Sequence, residues 1–434
     1  DNIRITLPED YVEGESYNFI SIPDVYQPET GLVAPATVLT WFNSAEQIPE
    51  LSATVRPATF IFTINADLDI VSPDGTVLMT LFEALTAANG KVIPAFYTND
   101  VAIATSLGES LKTYRIFDSF IVSDQGDVIL AAREAHSLMR GVLNYPMTDK
   151  VALTEDDLMD VRRTTNTAQA VASIIPSHLL TQDLVNYMQK RLMTVWVSSP
   201  DDTLGQYQAI LTGANGIVTQ NYEGLYEIYS TFGPNTHVRR PLTIAHRGLY
   251  NGTASQYPEN TIEGGLASLE KGADILELDI HLTIDWEIVV MHDNTTIRTA
   301  PDYPSMTIAT SRFSDIMALT LASPVEGNDE LHVPSLREYF RTFKDTGVVI
   351  FVEIKPTSPL LVEKLAELID EEEMYDQVVV IAFSAANIES MNEFMPEMAN
   401  GHLSGSLLNA QNDTTSMTNV LTDVVPINST LNPS

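Results

Sequence analysis

A small set of side chains in the second half of this sequence could handle a charged substrate. Three apolar runs between Leu242 and Asp293 each end in ionisable residues. Leu242-Thr243-Ile244-Ala245 leads into His246-Arg247-Gly248. Ile275-Leu276 leads into Glu277-Leu278-Asp279, and Ile288-Val289-Val290-Met291 into His292-Asp293. Residues two apart in a strand face the same side, so Glu277 and Asp279 place two carboxylates together. Glu353, which ends the run Val348–Val352, could add a third. Converging carboxylates suit the hard cations Mg²⁺ or Ca²⁺, and in a chain without cysteine zinc is the poorer match. His246 and His292 can move protons near neutral pH and form a candidate general acid–base couple. Arg247 and Lys355 could contact phosphate, the first through a fork of N–H groups and the second as a point charge. Both could equally pair with the neighbouring carboxylates. Gly248 is expected to let the backbone approach a ligand.

Side chains of this kind at strand ends belong to the C-terminal face of a parallel barrel. The chain has 434 residues, and a barrel takes about 250, so two domains are expected. In residues 1–233, strands are predicted at 18–22, 38–42, 59–64, 92–96, 119–122, 141–143, 192–197 and 216–218. Helical spacing covers 78–88, 102–114, 128–139, 168–189 and 203–211, with 148–165 as a polar connection or surface helix. Residues 234–240 read as a linker. In residues 241–434 helices are predicted at 261–271, 336–343 and 360–371, with further strands at 348–354, 378–383 and, weakly, 402–407. That makes six strands. The fold class expected is α/β, with two TIM-barrel-like (β/α)₈ units, the second truncated at its C-terminal end. An internal repeat supports two copies. Thr80-Leu81, a helix, Gly90 and a strand echo Ser335-Leu336, a helix, Gly347 and a strand.

Composition narrows the partners. With 58 acidic residues against 23 basic ones the formal net charge is −35, which disfavours nucleic acid and anionic membranes. No apolar run is long enough for a transmembrane segment, and no leader is visible. Acidity, absence of cysteine and the two-module build lead us to expect an extracellular or cell-surface protein, with the cytoplasm as the alternative. Four Asn-x-Ser/Thr sites, at Asn251, Asn294, Asn412 and Asn428, are compatible with that.

The ordered series His246-Arg247-Gly248, Pro258-Glu259-Asn260-Thr261, Glu277-x-Asp279, Thr283-x-Asp285, His292-Asp293, Val333-Pro334-Ser335-Leu336 and Glu353-x-Lys355 resembles the glycerophosphodiester phosphodiesterase family. The resemblance implies a TIM barrel that cleaves glycerophosphodiesters to glycerol 3-phosphate and an alcohol, with a divalent metal, Mg²⁺ or Ca²⁺. It makes His246 and His292 the acid–base pair and Glu277, Asp279 and Glu353 the metal ligands. Arg247 and Lys355 become phosphate contacts, and Glu259 an accessory residue. A Trp-Thr motif on the seventh strand and an acidic end to the eighth, common in the family, do not follow Asn409. The first half resembles the family faintly, through 191–197 and 213–219, but lacks His-Arg-Gly. Counting from Gly90 against Gly347 puts Phe96 at the place of Glu353 and Thr98 at that of Lys355. The first barrel is therefore expected to be a degenerate, non-catalytic copy. Two other readings stand beside hydrolysis. One is a cell-surface phosphopolymer- or glycan-binding protein, with Tyr17, Trp41, Phe96, Tyr97, Tyr145 and Trp196 as candidate lining. The other is a related barrel phospholipase that forms a cyclic phosphate. The oligomeric state is open.

Overall fold

The computed structural model describes residues 23–248, 257–323 and 331–403, and the backbone of strands Arg4–Thr6 and Asn18–Ile20. Its first half contains a closed barrel of eight parallel strands. In chain order they are Thr37–Phe42, Thr59–Thr63, Ile93–Tyr97, Phe120–Ser123, Arg140–Asn144, Ala170–Pro176, Thr194–Ser198 and Gly216–Val218. Chain order is also spatial order, and Gly216–Val218 returns to pair with Thr37–Leu39, which closes the ring.

Strand alternation divides the apolar residues into two layers. Leu39, Ile61, Ala95, Val122, Val142, Ile174, Trp196 and Val218 fill the barrel. Phe42, Phe60, Phe62 and Phe96 face outward and pack with the surrounding helices. Gly216 has a steric reason: a Cβ there would stand 2.5 Å from the Trp196 ring.

The expected number of strands was right, but one member was wrong. Asn18–Ile20 pairs antiparallel with Arg4–Thr6, outside the barrel. Its place in the count is taken by Ala170–Pro176, inside the stretch whose spacing predicts a helix over 168–189. Ala-Val-Ala-Ser-Ile-Ile is apolar at every helical and every strand period, so periodicity could not decide. The helix itself starts later, at Gln182–Gln189, capped by Thr181. The polar stretch before the strand is a helix, Glu155–Thr167, opened by a Thr154/Asp157 capping box.

The second unit has five parallel strands in the order Ile244–His246, Ile275–Leu282, Val349–Ile354, Val378–Ala382 and Asn400–His402. They form an open sheet among the described residues. The rest of the expected second unit, 404–434, and with it most of the weak strand at 402–407, lies outside those residues. The sixth expected strand, Ile288–Val290, runs antiparallel to the far end of Ile275–Leu282 as the return arm of a hairpin. The turn between them holds Trp286 in the left-handed region at φ 67°. The helices at Ile262–Glu270, Leu336–Phe343 and Pro359–Glu371 match the sequence reading.

The two units are joined by more than the connecting chain. Arg162, fully buried on helix Glu155–Thr167, donates to the carbonyls of Tyr375 at 2.8 Å and Val378 at 2.7 Å. Arg163 forms a bidentate pair with Asp376 at 2.6 and 2.7 Å. Arg191 reaches the Asp376 carbonyl, and Asn166 the Glu397 carbonyl. Leu192 packs against Phe351, Ile381 and Ala399 on the inner face of the second sheet. The connection at 234–240 also packs against the first barrel. Val238 is buried there, and Thr236 bridges to Leu32.

Candidate active site

Parallel pairing brings the three carboxylates to the same end of the sheet. Asp279 is directly opposite Glu353 on the neighbouring strand, and Glu277 is opposite His246 on the other side. Glu277, Asp279 and Glu353 are all buried, and one oxygen of each lies within 4.8 Å of the others. Among the described residues this is the one such group of three or more potential metal ligands.

Two buried oxygens of the group, Glu277 Oε1 and Asp279 Oδ1, accept no hydrogen bond, although Lys355 Nζ stands 3.5 Å from the second. Unsatisfied buried carboxylate oxygens are costly unless a cation meets them. Burial and the nearby Asp279 charge push Glu277 up to about 7. The residues therefore fit a divalent cation.

The two cations sit on the carboxylates. Arg247 Nε is 3.3 Å from Asp279 and its NH1 group 3.4 Å from Glu259. Its backbone N–H donates to Glu277 at 2.9 Å. Lys355 Nζ is 2.6 Å from Glu353 and 3.5 Å from Asp279. Glu259 is further gripped by Arg298 at 2.7 and 2.8 Å. Burial pushes Glu259 up, but Arg298 and Arg247 outweigh it and hold it below its ordinary value.

His246 Nε2 is 3.8 Å from Glu277, on the exposed side of the cluster. Burial and the neighbouring Arg247 lower its pKa. His292 arrives differently from the expected strand end. The hairpin arm carries it back from beyond the mouth, and Met291 N donates to the Asp279 carbonyl at 2.9 Å. Its Nδ1 meets Asp293 at 2.6 Å. Asp293 is held at about 2, first by Arg298. Gly248, at φ 77°, packs against helix Ile262–Glu270, where a Cβ would come within 3.2 Å of Gly264.

Four participants were not singled out by the sequence reading. Asn260, left-handed at φ 61°, donates to Asp279 at 2.9 Å and accepts from its backbone N–H. His281 is buried, and its Nε2 lies 3.0 Å from the His292 carbonyl, fixing that backbone. Asp293 and Arg298 link His292 to Glu259. Asn260 and Asp293 lie inside the motifs. His281 is the next inward position after Glu277 and Asp279, which the same alternation would have found. Arg298 has no spacing signal.

Residues 246–405 match the model of the glycerophosphoryl diester phosphodiesterase family. The second half of the chain is thus similar to that family over the stretch that carries the carboxylate cluster. It is 29% identical over 170 residues to a glycerophosphodiester phosphodiesterase of Caldanaerobacter subterraneus, covering 38% of this chain and 67% of the relative. It is 28% identical over 162 residues to a human lysophospholipase D, covering 36% and 48%. A solved glycerophosphodiester phosphodiesterase from Agrobacterium tumefaciens superposes with a TM-score of 0.33 at 25% identity, over 37% of this chain and 66% of that one. The chain thus spans from 48% to 67% of the length of these curated relatives.

The first barrel can be laid on this domain by its strand ladders. Thr59 pairs with Leu39 and Ile93, as Ile275 pairs with Ile244 and Val349. With the first paired residues of Thr59–Thr63 and Ile275–Leu282 superposed, Trp41 stands at the place of His246, Ile61 at Glu277, Thr63 at Asp279 and Tyr97 at Glu353. The count from the glycines, which chose Phe96, is one residue out. Phe96 faces the outer helices, and a slip of one reverses every side chain in a strand.

Proposed function

We propose that the second unit hydrolyses glycerophosphodiesters to glycerol 3-phosphate and an alcohol. The observation that carries this reading is the buried carboxylate triad with two unsatisfied oxygens, flanked by His246 and His292 and set in a stretch similar to this family. Glu277, Asp279 and Glu353 would hold Mg²⁺ or Ca²⁺. A bound divalent cation there would neutralise charge on the phosphate as the ester bond breaks.

The chain's own residues supply the rest. Arg247 and Lys355, now paired with carboxylates, are within reach of a phosphate held at the triad and would share its oxygens. His246, whose lowered pKa keeps it neutral, is the candidate base that takes the proton of the attacking water. His292 turns Nδ1 to Asp293, which leaves Nε2 to protonate the departing alcohol. Arg298 holds both Asp293 and Glu259, so the acid side of the site is braced as one ion-pair chain.

Release of glycerol 3-phosphate from a glycerophosphodiester tests the reading. Turnover should vanish after metal stripping and return with Mg²⁺ or Ca²⁺. Product that accumulates as a cyclic phosphate would assign the chain to the transferase chemistry instead. No product with either metal would remove the proposal.

A further inference from the structure

The mouth of the first barrel holds a second polar cluster, at the level where the other unit holds its carboxylates. Trp41 and Tyr97 are half-buried there, with ring centroids 5.1 Å apart and planes at 85°. The Tyr97 hydroxyl donates to Asp124 Oδ2 at 3.0 Å. Asn99 donates to the same oxygen at 3.2 Å, and Asn144 to Oδ1 at 2.7 Å. All three donors are neutral. Among the described residues no Lys, Arg or His forms an ion pair with Asp124. Its charge is oriented but not cancelled, and the side chain stays accessible to water. Burial and the Asp124 charge push Tyr97 up to about 12, so the phenol remains a neutral donor.

The surroundings decide the sign of any ligand. The connections after the eight strands are residues 43–50, 64–80, 98–100, 124–125, 145–154, 177–181, 199–202 and 219–221. They contain ten Asp or Glu and, of Lys and Arg, Lys150 alone. Lys150 is already paired with Asp157 at 2.8 Å. A phosphate or a phosphopolymer would be repelled here. A cation would be drawn in. The two rings pack edge to face, and an open aromatic face beside a carboxylate can take a bulky, weakly hydrated ammonium group, by cation–π attraction to the ring and Coulomb attraction to the acid. Of the aromatic residues considered as lining, Tyr17 lies outside the described residues, and among the others Trp41 and Tyr97 alone sit so. Phe96 faces the outer helices, Trp196 is deep in the barrel, and Tyr145 is turned to Val161 and Thr165.

We propose that Trp41, Tyr97 and Asp124 form a binding site for a small organic ammonium ion at the mouth of the first barrel. The site is separate from the carboxylate triad and does not depend on the activity proposed for it.

Calorimetric titration of the full chain with choline and with its uncharged carbon isostere, 3,3-dimethylbutan-1-ol, tests this. Choline should bind, and the isostere should bind at least about tenfold more weakly. Asp124→Asn keeps the shape and removes the charge, and should weaken choline about tenfold or more. Trp41→Leu removes one aromatic wall and should weaken it by a similar factor. Thermal melting reports whether each variant is folded, so that one variant still reads the site if the other does not fold. Failure of choline to bind, equal binding of the isostere, or undiminished affinity in the folded variants would each overturn the assignment. Preferential binding of a neutral sugar over choline would do so too.

Discussion

Two mouths, built on the same strand ladder, carry opposite chemistry. In the second unit the places after the first three parallel strands hold His246, Glu277, Asp279 and Glu353. In the first barrel the same places hold Trp41, Ile61, Thr63 and Tyr97. The scaffolds agree in detail. Helices Leu81–Ala88 and Leu336–Phe343 both open with a capping box and are followed by a left-handed glycine, Gly90 or Gly347. The hairpin turns at 65–69 and 283–287 share their hydrogen bonds and a left-handed fourth residue, Leu68 or Trp286, but the strand of the second unit reaches its turn two residues later. Fold and chemistry have thus separated: capping, turns and strand pairing are kept, while the side chains that point into the mouth have changed.

The comparison can be broken most severely at the histidines. His246→Ala and His292→Ala should each lower turnover of a glycerophosphodiester by about 10²–10⁴-fold with the melting temperature preserved. Turnover that survives both changes would move the chemistry elsewhere. Next in size is the joint between the units. Arg162→Ala leaves the Tyr375 and Val378 carbonyls without their donor and opens a hole, so it should cost about 2–4 kcal/mol in a denaturant titration. A neutral result would mean that the first barrel does not brace the second.

Metal affinity should follow pH. Without metal, folded Glu277 keeps its proton up to about 7, against an ordinary value of 4.5. A raised carboxyl pKa favours the folded chain at low pH, and that contribution is lost as pH rises from 4.5 through about 7. A divalent cation must displace the same proton. Its affinity should therefore fall about tenfold per pH unit below the Glu277 pKa and level off above it. A flat affinity from pH 5 to pH 8 would show that Glu277 is not held protonated across that range. The smallest effect is expected in the other mouth. Thr63→Val, at the place of Asp279, should leave turnover within about twofold.

Much of this was legible in the sequence because strand alternation and motif order are local. Glu277 and Asp279 had to share a face, and Glu353 had to end a neighbouring buried strand. The helix Leu336–Phe343 was equally readable, whereas the helix expected over 78–88 starts only at Leu81, after its Thr80 cap. What could not be read depended on pairing across the chain. Ala170–Pro176 looked helical because an apolar stretch has no period of its own. His292 was expected on a parallel strand, but an antiparallel hairpin arm delivers it. Phe96 was assigned to the mouth by counting, and only the ladder with Thr59–Thr63 shows that Tyr97 points there. Arg298 and Arg162 act on partners 39 and more than 200 residues away, where no local spacing leads.

The most direct test of the difference between the two mouths is a calorimetric titration of the metal-stripped full chain with Mg²⁺ or Ca²⁺. The account predicts one divalent ion per chain, with binding abolished by Asp279→Asn and retained in Thr63→Val. Ion binding that persists in Asp279→Asn, or that is lost in folded Thr63→Val, would contradict it.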